Sequence, residues 1–183
     1  TLNIAHNTID RYAAVDSPIR NKVACIWEGE PGDVRQVTFH DLYREANQVA
    51  NALEERGIAT GDTVGLYMPM VPEVISILYG CFKVGAIAVP IFSGFGTDAV
   101  ATRIEDPECS VLFTGDGFYR RGREVLLKET ADEAIEQAGH VEHTIVYDRL
   151  GADVPEQARD ESWTEAVKTQ DDDYETKELD AGQ

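Results

Sequence analysis

The order of apolar and polar positions over residues 61–92 predicts a strand, a helix and a second strand in succession. Residues 63–68 form a short apolar run between a Gly-Asp turn and a proline, which is typical of a buried strand. Over residues 73–84, apolar side chains recur at the spacing of one wide helical face, and Gly85 follows as a left-handed stop. Residues 86–92 are apolar without alternation, as expected of a strand covered on both faces of a parallel sheet. Together these segments predict a βαβ unit.

The rest of the chain continues the alternation of strands and helices. The pattern predicts, in chain order, a hairpin of strands 23–28 and 34–38, a helix 38–56, a helix from Thr97 to Pro107, a strand 109–114, a helix 124–138 and a strand 144–147. This order predicts an α/β fold with a mostly parallel sheet flanked by helices and an N-terminal β-hairpin. Residues 1–150 are interpreted as that domain. Residues 151–183 are interpreted as an acidic extension that ends in a solvated linker from residue 171.

The charge of the chain narrows the range of partners. The formal net charge is −18, and 34 acidic residues face only 16 basic ones. Dispersed carboxylates with few lysines are typical of a surface adapted to concentrated salt, although an ordinary acidic cytosolic protein is an alternative. In either case the long-range field repels nucleic acid and anionic membranes, so neither is an expected partner.

Three cysteines lie far apart in apolar stretches, and no metal-binding spacing is present. We interpret them as core thiols of a reducing compartment. The first residues contain no hydrophobic signal segment, and no apolar run approaches 18 residues. A cytoplasmic location is therefore expected.

The loop after the second predicted strand, Ser93-Gly94-Phe95-Gly96, is the first candidate site, because ligands of parallel sheets bind at the carboxyl ends of strands. Gly94, Gly96 and Ala99 form a literal G-x-G-x-x-A, and Asp116 follows the next strand. These are the formal elements of a dinucleotide-binding fingerprint. Such glycines also occur in loops shaped only for packing, so both interpretations stay open.

A second candidate site is the arginine-rich segment Arg120-Arg121-Gly122-Arg123, which follows the strand 109–114. Three of eleven arginines within four residues reverse the sign of charge locally. Guanidinium groups bind phosphate through two hydrogen bonds, and a glycine lets the backbone approach a ligand. In the alternative interpretation, the arginines form weak surface ion pairs with Glu124, Glu129 and Asp132.

From Leu2 to Tyr147 the sequence resembles the AMP-forming acetyl-CoA synthetase branch of the acyl-CoA synthetases, in the adenylate-forming superfamily. The resemblance is collinear and rests on these segments: LNIAHNTIDRY, VACIWEGEPGD, QVTFHDLYREANQVANAL, GDTVGLYMPMVPEVISILYGCFKVGAIAVPIFSGF and DAVATRIED. It implies an enzyme that joins a carboxylate to ATP, releases pyrophosphate, and transfers the acyl group from AMP to coenzyme A.

The resemblance also implies a binding site for the nucleotide end of coenzyme A. Its residues would be Phe92, Ser93, Gly94, Arg120, Arg121, Gly122 and Arg123. The chain departs from the acetyl-specific pattern at two of these positions, with Ser93 in place of glycine and Arg121 in place of a small residue. The preference for acetate is therefore open.

The 183 residues contain no Ser/Thr/Gly-rich loop ending in Pro-Lys, which the family uses to bind the phosphates of ATP. The family's ribose-binding aspartate and its C-terminal lysine are also missing. The chain is therefore interpreted as an N-terminal part, inactive alone, of a ligase that uses ATP with Mg²⁺ and coenzyme A. Its expected partners are these small molecules, the carboxylate and the rest of its own polypeptide. The alternatives are an NAD-dependent dehydrogenase domain built on the fingerprint above and a non-catalytic α/β interaction module.

Overall fold

The computed structural model describes residues 2–180, which form two compact units. The first unit contains the described residues up to Asp62, the segment Val71–Ile87, and the described residues from Val167 onward. The second unit contains Thr63–Met70 and Ala88–Ala166.

The first unit consists of a hairpin and two long helices. Its elements are a π-helical turn His6–Asp10 that continues into α1 (Arg11–Ala13), β1 (Val23–Glu28), β2 (Val34–Thr38), α2 (Phe39–Glu55) and α3 (Glu73–Val84). β1 and β2 pair antiparallel, which confirms the predicted hairpin. A capping box starts α2, since the side chains of Thr38 and Asp41 each bind the other's backbone N–H. α3 packs on α2 so closely that a Cβ at Gly80 would lie 2.4 Å from Cγ1 of Val49.

Lys83, near the end of α3, is a buried cation that its sequence position did not reveal. Its side chain is 0% exposed, and its Nζ donates to Oδ1 of Asp10 at 2.5 Å and to Oγ1 of Thr176 at 2.9 Å. Burial lowers the pKa of this amine, while the Asp10 carboxylate opposes that shift. The ion pair with Asp10 connects the N-terminal segment of this unit to α3, and the hydrogen bond to Thr176 connects the C-terminal segment to it.

The prediction of a solvated linker over residues 171–183 is wrong for the part that the structure describes; the last three residues lie outside it. Asn47 of α2 donates its side-chain amide to the carbonyl oxygen of Asp172 at 2.8 Å. The backbone N–H of Lys177 donates to the carbonyl of Lys83 at 2.9 Å. Hydrogen bonds rather than apolar side chains fix this segment, so it shows no apolar periodicity.

The second unit is built on a five-stranded parallel sheet with the strand order β4-β3-β5-β8-β9. Its elements are β3 (Thr63–Tyr67), β4 (Ile87–Pro90), α4 (Thr97–Glu105), β5 (Val111–Gly115), β6 (Gly117–Arg120), β7 (Arg123–Leu126), α5 (Lys128–Ala138), β8 (His143–Tyr147) and β9 (Asp160–Ser162). This architecture confirms the predicted α/β class. β9 escaped prediction because its three residues are polar.

One apolar core supports the loops at the carboxyl ends of β4 and β5. It contains buried side chains of β3, β5, α4, α5 and the segments beside the strands and helices: Tyr67, Ile91, Val100, Ala101, Ile104, Cys109, Leu112, Leu127, Ala131, Ala134, Ile135 and Val141. Phe95 and Phe118, which follow β4 and β5 respectively, pack against this core. Both predicted site segments therefore rest on the same packed layer.

Two details of the predicted elements are wrong. The helix predicted from residue 124 begins at Lys128, because residues 123–126 pair as β7 with β6. β4 was predicted as a strand covered on both faces. It instead lies at the edge of the sheet in the described chain, and the side chain of Ile87 is 54% exposed.

Candidate functional site

Two segments at the carboxyl-terminal edge of the parallel sheet, where β4 and β5 end, make up the candidate site. The first, residues 92–96, follows β4 and is called the glycine loop here. The second, residues 117–126, follows β5 and is called the arginine hairpin, since β6 and β7 pair antiparallel within it. β3 lies between β4 and β5, so the two strands are about 10 Å apart at this edge. A ligand the size of a nucleotide can span that distance.

The glycine loop presents an aromatic ring to solvent. The side chain of Phe92 is 59% exposed, and its ring meets that of Phe95 edge to face with centroids 5.5 Å apart. A Cβ at Gly94 would lie 2.5 Å from Cε1 of Phe92, so a side chain at position 94 would displace the ring from this position. An exposed aromatic face of this kind is suited to stacking on a base.

Phe95 is held from two sides. Its carbonyl oxygen accepts a hydrogen bond from the hydroxyl of Tyr67 at 3.0 Å. The guanidinium of Arg103, on α4, lies over its ring at 4.3 Å from the centroid. Burial raises the pKa of the Tyr67 phenol, so this hydroxyl stays a neutral donor. Phe95 belongs to the loop that the sequence marked as a candidate site, but no sequence pattern indicated its contacts with Tyr67 and Arg103.

The arginine hairpin brings its basic residues to one tip. Arg120 and Arg123 face each other across the β6–β7 pair, and Arg121 and Gly122 form the two-residue turn between them. Both turn residues have positive φ, 52° and 72°, which is the geometry of a type I′ hairpin turn. The segment was predicted as a loop. The turn explains its glycine and places three guanidinium groups together on an exposed end.

Within residues 2–180, no ion pair or side-chain hydrogen bond engages Arg120, Arg121 or Arg123. Asp132, one of the acidic partners considered above, instead binds Nζ of Lys128 at 2.6 Å and Nη2 of Arg159 at 2.9 Å. The interpretation as a locally balanced surface patch is therefore wrong for that residue. Three unpaired guanidinium groups in an acidic chain favour binding of an anion.

Asp116 has a structural role that contradicts the dinucleotide interpretation. Its carboxylate is 3% exposed and accepts four backbone N–H groups at 2.7–3.0 Å. The donors are Gly117, Arg149, Leu150 and Ala152. With its oxygens engaged in this way, the carboxylate cannot also bind a ribose, so this part of the fingerprint is wrong. No sequence pattern pointed to this role, because three of its four partners lie more than 30 positions away.

The cysteines and acidic residues offer no competing chemistry. No disulfide joins the three cysteines in the described residues; Cys81 and Cys109 are buried as predicted, whereas Cys25 is only half-buried. Burial raises the pKa of the Cys109 thiol. In the described part of the chain, no three His, Cys, Asp or Glu side chains are grouped as metal ligands, and no helix is long and apolar enough to cross a membrane.

Comparison with known proteins identifies the family. Residues 12–181 match the profile of the family described as "AMP-binding enzyme", so the chain belongs to that family. The fold is similar to a crystal structure of an acyl-CoA synthetase from Brucella canis, with a TM-score of 0.76 and 23% identity. That match covers 96% of this chain and 29% of the Brucella protein.

Curated relatives have higher sequence identity. The chain is 43% identical over 182 residues to an acetyl-coenzyme A synthetase of Streptomyces coelicolor, covering 99% of this chain and 28% of that protein. It is 42% identical over 156 residues to a 3-hydroxypropionyl-coenzyme A synthetase of Metallosphaera sedula, covering 84% of this chain and 23% of that protein. The chain thus spans about a quarter of the length of these relatives.

We predict that Asp116→Asn destabilises the fold, because an amide presents a donor where backbone N–H groups need an acceptor. The free energy of unfolding should fall by about 2 kcal/mol or more, measured by urea denaturation. The control is Asp148→Asn, since Asp148 is exposed and its side chain accepts one backbone N–H, from Gly151. Equal midpoints for the two variants would contradict the assigned role.

Proposed function

We propose that this chain is the N-terminal part of an acid–CoA ligase of the AMP-forming acetyl-CoA synthetase type. Such an enzyme activates a short-chain carboxylate with ATP to an acyl-adenylate, releases pyrophosphate, and transfers the acyl group to the thiol of coenzyme A. The family match over residues 12–181 and relatives named acetyl-coenzyme A synthetase support this proposal. Its location would be the cytoplasm, and its macromolecular partner the rest of its own polypeptide.

Within that reaction, the role proposed for this chain is to bind the nucleotide end of coenzyme A. The observation that carries this role is the presence, at the carboxyl-terminal edge of the sheet, of an exposed ring, Phe92, and of three arginines that have no ion-pair partner among residues 2–180. Coenzyme A offers matching groups, an adenine that can stack on a ring and phosphates that guanidinium groups can bind. Ser93, Gly94 and Gly122 would let the backbone approach the ligand.

The adenylation step needs groups that these 183 residues do not contain. The sequence has no Pro-Lys dipeptide and hence no loop of the kind the family uses for the phosphates of ATP. Without backbone donors and a lysine on those phosphates, the charge of the leaving pyrophosphate would not be neutralised. We therefore propose that the chain alone makes no acyl-adenylate and that Mg²⁺-bound ATP is bound elsewhere in the full-length ligase.

The acyl preference is proposed only as far as a short-chain carboxylate. Ser93 and Arg121 differ from the acetyl-specific pattern, and both belong to the proposed site for coenzyme A rather than to an acyl pocket. Relatives named for acetate and for 3-hydroxypropionate have nearly equal identity to this chain, 43% and 42%.

We predict that Arg120→Ala weakens the binding of coenzyme A to this chain by about tenfold or more. A charge-assisted contact to phosphate contributes roughly 1.5–3 kcal/mol, and a strand position tolerates alanine. Binding is measured by isothermal titration at low salt. Arg121→Gly should also weaken binding, since glycine keeps the positive φ of the turn and removes only the side chain.

The matched control is Arg44→Ala, which removes the same charge from a half-exposed residue that pairs with Asp172. It should leave the affinity for coenzyme A within about twofold, because Arg44 belongs to the first unit and not to the arginine hairpin. Loss of its surface ion pair should change the stability of the fold little. The same preparations should show no carboxylate-dependent pyrophosphate exchange. The proposal fails if coenzyme A does not bind, if Arg44→Ala weakens binding as much as Arg120→Ala, or if the chain alone catalyses exchange.

We also propose that the acidic surface is an adaptation to concentrated salt. If the net charge of −18 destabilises the compact state by self-repulsion, screening should stabilise it. The thermal midpoint of unfolding should therefore rise as KCl increases from dilute to molar concentration, followed by circular dichroism. A midpoint that is flat or falls over that range would count against this adaptation.

A further inference from the structure

We infer that Arg103 is a positioning residue for the proposed coenzyme A site and acts on Phe92 through the ring of Phe95. The inference rests on the proposed function, because it assigns Phe92 to the adenine of the ligand. Neither the family match nor the sequence pattern gives Arg103 or Phe95 a role.

The guanidinium of Arg103 has a fixed position. Nη1 of Arg103 donates to the carbonyl oxygen of Ala99, one turn earlier in α4, at 3.0 Å. That hydrogen bond folds the side chain back along the helix and leaves its planar group over the ring of Phe95, 4.3 Å from the centroid. At this distance, the cation is attracted by the electron-rich face of the ring.

Because the ring of Phe95 is held in place, its contact with Phe92 also orders the ring of Phe92. The backbone of Phe95 is held by the hydroxyl of Tyr67, and its ring packs against the buried core. Its ring and that of Phe92 are inclined at 85°, which is the favourable edge-to-face arrangement. Phe92 is otherwise largely in solvent, so this contact restricts its rotamers.

The consequence concerns ligand binding. A ring that is already ordered loses less conformational entropy when a base stacks on it, and the ligand binds more tightly for that reason. Without the cation, the ring of Phe95 loses one of the contacts that hold it and Phe92 samples more orientations. We therefore expect Arg103→Met, which keeps helix propensity and side-chain length, to weaken coenzyme A binding by about threefold to tenfold.

The test is a double-mutant cycle in the 183-residue chain. The Arg103→Met substitution is measured with Phe92 present and in a Phe92→Ala background, using titration with coenzyme A at fixed salt. Arg103→Lys should restore most of the affinity, because the ammonium can still lie over the ring. Phe95→Leu, which fills the core without an aromatic face, should reproduce the effect of Arg103→Met and provides a second route if that variant unfolds.

A second readout does not depend on the ligand. With 4-fluorophenylalanine placed at position 92, the ligand-free chain should give one sharp ¹⁹F resonance, and Arg103→Met should broaden or split it. Thermal midpoints establish that each variant is folded. A protein that was merely destabilised would show a lower midpoint without this change in the ring at position 92.

The outcomes separate the two proposals. The inference is supported if the effect of Arg103→Met disappears in the Phe92→Ala background and the ¹⁹F signal changes. It is overturned if the full loss persists without Phe92, which would mean that Arg103 binds a phosphate directly, or if neither affinity nor the ¹⁹F signal changes. Failure of wild type to bind coenzyme A, or of Arg120→Ala to weaken binding, would instead overturn the proposed function.

Discussion

The candidate site depends on one buried carboxylate at the point where β5 ends. Asp116 accepts four backbone N–H groups through its side chain, while its own N–H donates to Tyr147 and its carbonyl accepts from Leu127. Six hydrogen bonds thus join the end of β5 to the start of β6, to the end of β8, to the loop after β8, and to the residue that precedes α5. Because Gly117 is among the donors, the arginine hairpin starts from a fixed point. Removing the acceptor would leave several donors without partners in a buried place.

The distribution of charge separates structural cations from those available to a ligand. Lys83 and Lys128 are both buried, and each is bound by carboxylates, Asp10 for the first and Asp132 with Asp160 for the second. The carboxylates neutralise these two cations, and without them each lysine would be a buried unpaired charge. The three arginines of the hairpin have no such partners in the described chain and lie on an exposed tip. In a strongly acidic protein, the attraction for an anion is therefore concentrated at that tip.

Sequence periodicity predicted the fold class well because most elements bury one apolar face. It placed β3, α3, β5 and the N-terminal hairpin near their observed positions. It failed where hydrogen bonds decide the structure. The start of α5 was misplaced because the Arg121-Gly122 turn pairs residues 123–126 as a strand, and the segment from residue 171 was misread because amide side chains such as Asn47 bind its backbone.

The candidate site was predictable in part for similar reasons. The arginines stand out by residue type and by their place after a strand, whereas Phe92 was assigned through the resemblance to the family. The supports of Phe92 do not stand out in the sequence, since the contacts of Phe95 with Tyr67 and Arg103 join three separate elements. Asp116 entered one of the alternative interpretations as a ribose ligand, because its spacing from the glycines fits a fingerprint. Its four donors become visible only when the loop after β8 is folded against it.

The most direct test is to map where coenzyme A contacts this 20.2 kDa chain by amide chemical-shift changes in a ¹⁵N-labelled sample. The account predicts that the largest changes fall on the glycine loop, residues 92–96, and on the arginine hairpin, residues 117–126. The groove of about 670 Å³ in the first unit, which Asp10, His40 and Thr176 help to line, should show no such changes. Changes centred on that groove, or none at saturating ligand, would contradict the assignment of this sheet edge to coenzyme A.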